Sequence, residues 1–196
     1  MTNCNASQAI SLALRTAGTV QNSQSLTTVL FTNKDYKNLK IIKIIDGTSV
    51  DGPGLRTSIY FSGCSHHCPG CQNPQTWDID FGNKVDIEEV LNTIIDNDFD
   101  VTFSGGDPLF QVEEVTLLAK KIKDIGKNIW CYTGYTYEQI ATDSRLSQIL
   151  PYIDVLVDGR FDLNLRDISL RFRGSANQRL IDVRKSRPEK IVIWED

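Results

Sequence analysis

Three of the chain's five cysteines fall within eight residues, Cys64-Ser65-His66-His67-Cys68-Pro69-Gly70-Cys71; the other two are Cys4 and Cys131. An odd count with three thiols crowded together does not read as a secreted disulfide framework. It reads as a metal site in a reduced compartment, expected to be cytoplasmic. Thiolates are soft ligands that select iron–sulfur clusters, zinc or Cu(I). Gly63 and Gly70 let this backbone fold tightly and Pro69 fixes one bend, so the loop can aim three sulfurs at one point.

Three readings of the loop compete. Buried structural cysteines are the plainest, but free cysteines rarely cluster this way without a ligand role. Zinc, with His66 or His67 as fourth ligand, is the second. Structural zinc sites usually come as two separated ligand pairs, and no second C-x2-C or H-x3-H is present. The third is a four-iron cluster, which normally takes four thiolates. Cys64, Cys68 and Cys71 supply three, leaving one iron open to an outside ligand. A ligand with an amino group and a carboxylate can chelate such an iron. The turn Ser104-Gly105-Gly106-Asp107-Pro108 then offers backbone groups and the Asp107 side chain to its ammonium end. Alone, that turn reads as well as a tight strand-to-helix connection in which Asp107-Pro108 starts the helix.

The apolar pattern alternates between strands and helices from Leu39 onward. Strands are expected at Leu39–Ile45, Leu55–Ser62, Asp100–Phe103, Ile129–Tyr132 and Asp154–Val157. A helix is expected after Asp86, as N-cap with Glu89 at N3, carrying Val90, Leu91, Ile94 and Ile95. A second carries Val115, Leu118, Ala119, Ile122 and Ile125 before Gly126, and Thr136 with Gln139 caps a third. This order predicts βαβ units, an α/β fold with a mostly parallel sheet. In such folds the functional loops follow the strands' C-terminal ends. The cysteine loop, the Gly105-Gly106 turn, Thr133-Gly134-Tyr135 and Asp158-Gly159 should therefore gather at one rim.

At 196 residues, 40% hydrophobic and 23% charged, the chain suits one domain with an appendage. No apolar stretch approaches the ~18–20 residues that span a bilayer, so no membrane association is expected. Residues 1–38 stand apart: eighteen are Ser, Thr, Asn or Gln, and the only charges are Arg15, Lys34, Asp35 and Lys37. They predict a poorly structured N-terminal extension, with at most a weak amphipathic helix over Ser7–Ala17, preceding a domain at 39–196. Neither a secretory signal nor a transit peptide fits this stretch. Residues 160–187 hold eight basic and three acidic residues in a chain of net charge −4. No nucleic-acid motif accompanies them, so a solvated basic face or a docking surface for a protein partner is expected and nucleic-acid binding is not.

Taken together, these motifs resemble the radical S-adenosylmethionine enzymes. Cys64, Cys68 and Cys71 match that superfamily's cluster motif, and Ser104–Pro108 matches its methionine-binding turn. Asp51-Gly52-Pro53-Gly54-Leu55-Arg56 resembles the stretch before the cluster loop in glycyl-radical activating enzymes. Gln72-Asn73-Pro74, Trp130–Tyr135, Asp154–Phe161 and Arg171–Arg179 are similar to one subgroup, the anaerobic ribonucleoside-triphosphate reductase activating proteins. The resemblance implies a partial (β/α) barrel, open on one side, with a [4Fe-4S] cluster on the three cysteines. It implies S-adenosyl-L-methionine held near Gly70, Cys71, Gln72, Ser104, Gly105, Gly106 and Asp107. It implies reductive cleavage of that cofactor and a glycyl radical set on the anaerobic ribonucleoside-triphosphate reductase. The electron would come from a flavodoxin or ferredoxin-like donor, and no catalytic side chain is needed beyond the cluster and cofactor. The alternatives are a radical enzyme acting on a small molecule of deazapurine type, or a zinc or electron-transfer module. Cys131, between Trp130 and Tyr132, is expected in the core, His66 and His67 as loop residues, and Arg56 either at a solvated strand edge or against a partner.

Overall fold

The computed structural model describes residues 38–195. The helix expected over Ser7–Ala17, and all but the last residue of the expected extension, lie outside the described residues. Seven strands form one sheet: β1 (Asn38–Thr48), β2 (Arg56–Phe61), β3 (Asn83–Asp86), β4 (Asp100–Gly105), β5 (Ile129–Tyr132), β6 (Val155–Asp158) and β7 (Arg179–Asp182). Three helices accompany them: α1 (Ile87–Asn97), α2 (Val112–Asp124) and α3 (Tyr137–Thr142). The sheet order is β3-β1-β2-β4-β5-β6-β7. The edges β3 and β7 do not pair with each other, so the sheet is open.

The parallel sheet is confined to the centre. β2, β4, β5 and β6 run parallel, with Phe61 opposite Gly105 and Phe103 opposite Cys131. β1 and β3 on one side and β7 on the other add antiparallel strands. The expectation of a mostly parallel sheet holds for these four strands and not for the flanks. β3, Asn-Lys-Val-Asp, is a short polar edge strand held by its backbone, so no apolar pattern announces it.

Strand alternation divides the core. Ile59, Phe61, Val101, Phe103, Ile129, Cys131 and Leu156 point to one face and are buried with the apolar stripes of the helices. Val112, Val115, Leu118, Ala119 and Ile122 form the stripe of α2, all at most 1% exposed. Each large aliphatic side chain so buried contributes roughly 1.5–3 kcal/mol. The other face carries Trp130, Val155 and Val157 with Leu180, covered by Phe172 and Trp194.

The helix ends follow their sequences. Asp86 caps α1 by accepting from Glu88 N–H at 2.8 Å, one residue earlier than a capping box requires. α2 ends in a Schellman motif: Gly126 N–H reaches Lys123 O at 3.0 Å and Lys127 N–H reaches Ile122 O at 3.3 Å, with Gly126 at φ 79°. Thr136 and Gln139 make the reciprocal box expected for α3. No helix among the described residues is long and apolar enough to cross a membrane.

Candidate active site

The four loops predicted to share a rim do so. A cleft of about 390 Å³ is walled by residues after β2 (Cys64, Cys68, Cys71), β4 (Gly106), β5 (Thr133, Gly134) and β6 (Gly159). Parallel strands in one register deliver their C-terminal ends to one edge, so this convergence follows from the topology.

The cysteine loop is anchored at both ends. Gly63 N–H donates to Thr76 O at 2.8 Å and Cys64 N–H to Trp77 O at 3.1 Å. Within it, Cys71 N–H donates to Cys68 O at 3.1 Å, and His67 and Gly70 take left-handed φ of 47° and 73°. Asn73 N–H points at Cys71 Sγ, 3.4 Å away. All three thiols are free and half-buried. Burial pushes the Cys64 thiol up to about 11, against the opposing pull of the His66 and His67 amides. A metal taken up here must therefore expel a proton.

Among the described residues no three His, Cys, Asp or Glu side chains converge as one metal ion requires. Both imidazoles of the loop are engaged elsewhere: His66 Nε2 with Asp107 at 2.7 Å, and His67 against the Trp77 ring at 4.7 Å. An iron–sulfur cluster presents a separate iron to each thiolate, so its three sulfurs stand apart. The donor set fits a cluster better than a zinc ion.

Asp107 ties the loops together. Its carboxylate accepts from Leu109 N–H at 2.9 Å, capping the helical turn Pro108–Gln111. It also accepts from Thr133 Oγ1 at 2.9 and 3.1 Å, Gly134 N–H at 3.0 Å and His66 Nε2 at 2.7 Å. Three strand-end loops thus share one carboxylate that is only 2% exposed. Gly105 and Gly106 bring the loops into backbone contact. Gly106 N–H donates to Phe61 O and Asp107 N–H to Gly63 O, each at 2.8 Å. A Cβ on Gly106 would stand 2.5 Å from Gly63 O.

A family model described as a 4Fe-4S single cluster domain matches residues 50–181. The anaerobic ribonucleoside-triphosphate reductase-activating protein of Pasteurella multocida (strain Pm70) is 39% identical over 140 residues, covering 66% of this chain and 88% of that protein. Its counterpart in Escherichia coli (strain K12) is 38% identical over 139 residues, covering 66% and 89%. That of Enterobacteria phage T4 is 37% identical over 139 residues, covering 67% and 86%. The chain belongs to this activating-protein family. Among solved structures, QueE from Escherichia coli overlaps 50% of this chain and 54% of that one, with a TM-score of 0.41 at 18% identity.

In this member of the family, Cys64, Cys68, Cys71, Gln72, Ser104, Gly105 and Gly106 all line the cleft. Gly70 and Asp107 do not. Gly70 packs against Leu163, and the Asp107 carboxylate faces the loops that it joins. Cys131 is fully buried among core side chains, away from the cleft. Arg56 is neither a strand-edge nor a partner residue. It is 1% exposed, donating to Thr102 Oγ1 at 2.7 Å and Val101 O at 2.6 Å, with its guanidinium over Trp130 at 5.5 Å. Burial lowers its pKa, opposed chiefly by Asp100. Asp51, Trp77, Tyr132 and Arg173 also wall the cleft. All four lie in or beside the motif segments, yet only the folded chain brings them to one site.

Proposed function

We propose that this chain is a radical S-adenosylmethionine activase that sets a glycyl radical on the anaerobic ribonucleoside-triphosphate reductase. The observation that carries the reading is the shared cleft: three half-buried thiols and the Ser104-Gly105-Gly106 turn face one space. Cys64, Cys68 and Cys71 hold a [4Fe-4S] cluster in this reading. When bound, the cluster supplies one electron for reductive cleavage of S-adenosylmethionine.

The chain's own residues do the positioning. The amides of His66 and His67 are directed at the Cys64 sulfur and oppose the rise that burial imposes on it, and the Asn73 amide is directed at the Cys71 sulfur. Cys71, Gln72, Ser104, Gly105 and Gly106 form the wall against which the nucleotide lies. The rings of Trp77, Tyr132, Phe161 and Phe172 line the same space and limit water at the reacting centre. Asp107 keeps the turn, the cysteine loop and the Thr133-Gly134 loop in register. A flavodoxin or ferredoxin-like protein is the proposed donor of that electron.

Anaerobic mixing of the iron-loaded chain with the reductase, S-adenosylmethionine and a reductant tests this. A glycyl-radical doublet in electron paramagnetic resonance, dependent on all components, is expected. Methionine release without any radical on that reductase would sink the activase reading.

A further inference from the structure

The segment after β6 contains a strained residue whose neighbour has no evident structural use. Phe172 holds φ 58°, a left-handed conformation that costs a non-glycine residue roughly 1–3 kcal/mol. The surroundings enforce it. The Phe172 ring meets Trp130 at 5.4 Å and Trp194 at 6.4 Å, and its carbonyl accepts from Tyr132 Oη at 2.9 Å. The next residue, Arg173, is thereby turned into the wall of the cleft. Gln178 fixes the turn that follows: its Oε1 accepts from Gly174 N–H at 2.9 Å and Ser175 N–H at 3.2 Å, and its Nε2 donates to Gly159 O at 3.0 Å.

Arg173 itself is poorly satisfied. It donates from Nη1 to Gln178 O at 3.2 Å, while its buried Nε has no hydrogen-bond partner. A guanidinium has five N–H donors, and a buried donor left without an acceptor is costly. The remaining charged side chain of the wall is Asp51, whose Oδ2 is already bonded to Tyr60 Oη at 2.6 Å. Arg173 is thus a cation in the wall of a cleft whose one other charged side chain, Asp51, forms no ion pair with it. Its planar fork matches a carboxylate.

We propose that Arg173 is the anion receptor of the cleft and binds the carboxylate of S-adenosylmethionine. The assignment rests on the functional reading given above, and it names which group of the cofactor this side chain takes. Strain at Phe172 then has a use, because it holds the guanidinium in place before the ligand arrives.

Equilibrium dialysis of the iron-loaded protein under anaerobic conditions tests it, with S-adenosylmethionine and its decarboxylated analogue as the two probes. The wild type should retain S-adenosylmethionine more tightly. R173M should weaken S-adenosylmethionine about tenfold or more, the worth of one charge-assisted hydrogen bond, while changing the analogue less than ~2-fold. R173K should fall between R173M and the wild type. Equal weakening of both probes, or of neither, overturns the assignment and leaves the functional reading standing. A wild-type protein with intact iron that retains neither probe overturns both. Should R173M fail to load iron, R173Q is read the same way, since its amide can still donate to Gln178 O.

Discussion

Asp107 shows how one side chain can join several loops of a site. Its carboxylate satisfies donors from Leu109, Thr133, Gly134 and His66, so removing it leaves several buried donors without acceptors. D107A should therefore destabilise the fold by about 3–5 kcal/mol, read as a lower denaturant midpoint, with D107N losing less. The cysteines should divide sharply in an iron assay. C64A, C68A or C71A should each abolish iron binding and the absorbance it brings, whereas C131A should keep both and show only a core-cavity cost of about 1–2 kcal/mol. That the three thiols would face one space was legible from spacing alone, because a short loop carries all of them. The burial of Arg56 was not. A strand residue's side chain faces whatever the neighbouring strands bring, and here they bring the Val101 carbonyl and the Trp130 ring.

Among the elements, glycine packing and ion pairing carry consequences that can be measured. The β4 turn lies so close to the cysteine loop that a methyl on Gly106 would meet Gly63 O at 2.5 Å and Thr76 O at 2.9 Å. Backbone atoms cannot yield as a flexible side chain can, so G106A should destabilise by about 1–3 kcal/mol and lower iron retention. On the far side, Arg179 of β7 bonds Asp158 of β6 at 3.0 Å and Glu138 of α3 at 2.8 and 3.0 Å. Hydrogen bonds from Arg179 hold the Glu138 carboxyl down at about 2. A depressed acid stabilises the fold above its unfolded value of about 4.3 and loses that contribution as pH falls toward 2. E138Q should then cost about 0.5–1 kcal/mol at pH 7, since Glu138 is 44% exposed, and the gap to wild type should close between about pH 4.5 and 2. The central strands and all three helices were readable from apolar periodicity and capping residues. β3 and β7 were not. Each spans four residues, as β5 and β6 do, but β3 holds one apolar residue and β7 only Leu180-Ile181 between charges, whereas β5 and β6 are nearly continuous apolar runs.

At the scale of the molecule, the run of basic residues between 160 and 187 is not one charged face. Arg173 lines the cleft, Arg160 donates to His66 O, and Arg179, Arg184 and Lys185 pair with Asp158, Asp154 and Asp182. Asp154 and Asp158 stand at β6, just before the run, and Asp182 lies within it on β7, so the pairing follows from these two strands lying side by side. The seven strands, the cleft wall and the family match over 50–181 all lie beyond residue 37. We propose that residues 39–196 form the domain and that the preceding residues add little to its stability. A chain lacking residues 1–33 keeps a short lead before β1. It should load as much iron as the full chain and melt within ~2–4 °C of it, the shift that about 1 kcal/mol produces in a domain of this size. Loss of iron or a larger fall in melting temperature would mean that the extension is part of the domain; unchanged values together with loss of the glycyl-radical signal would place its role at the reductase.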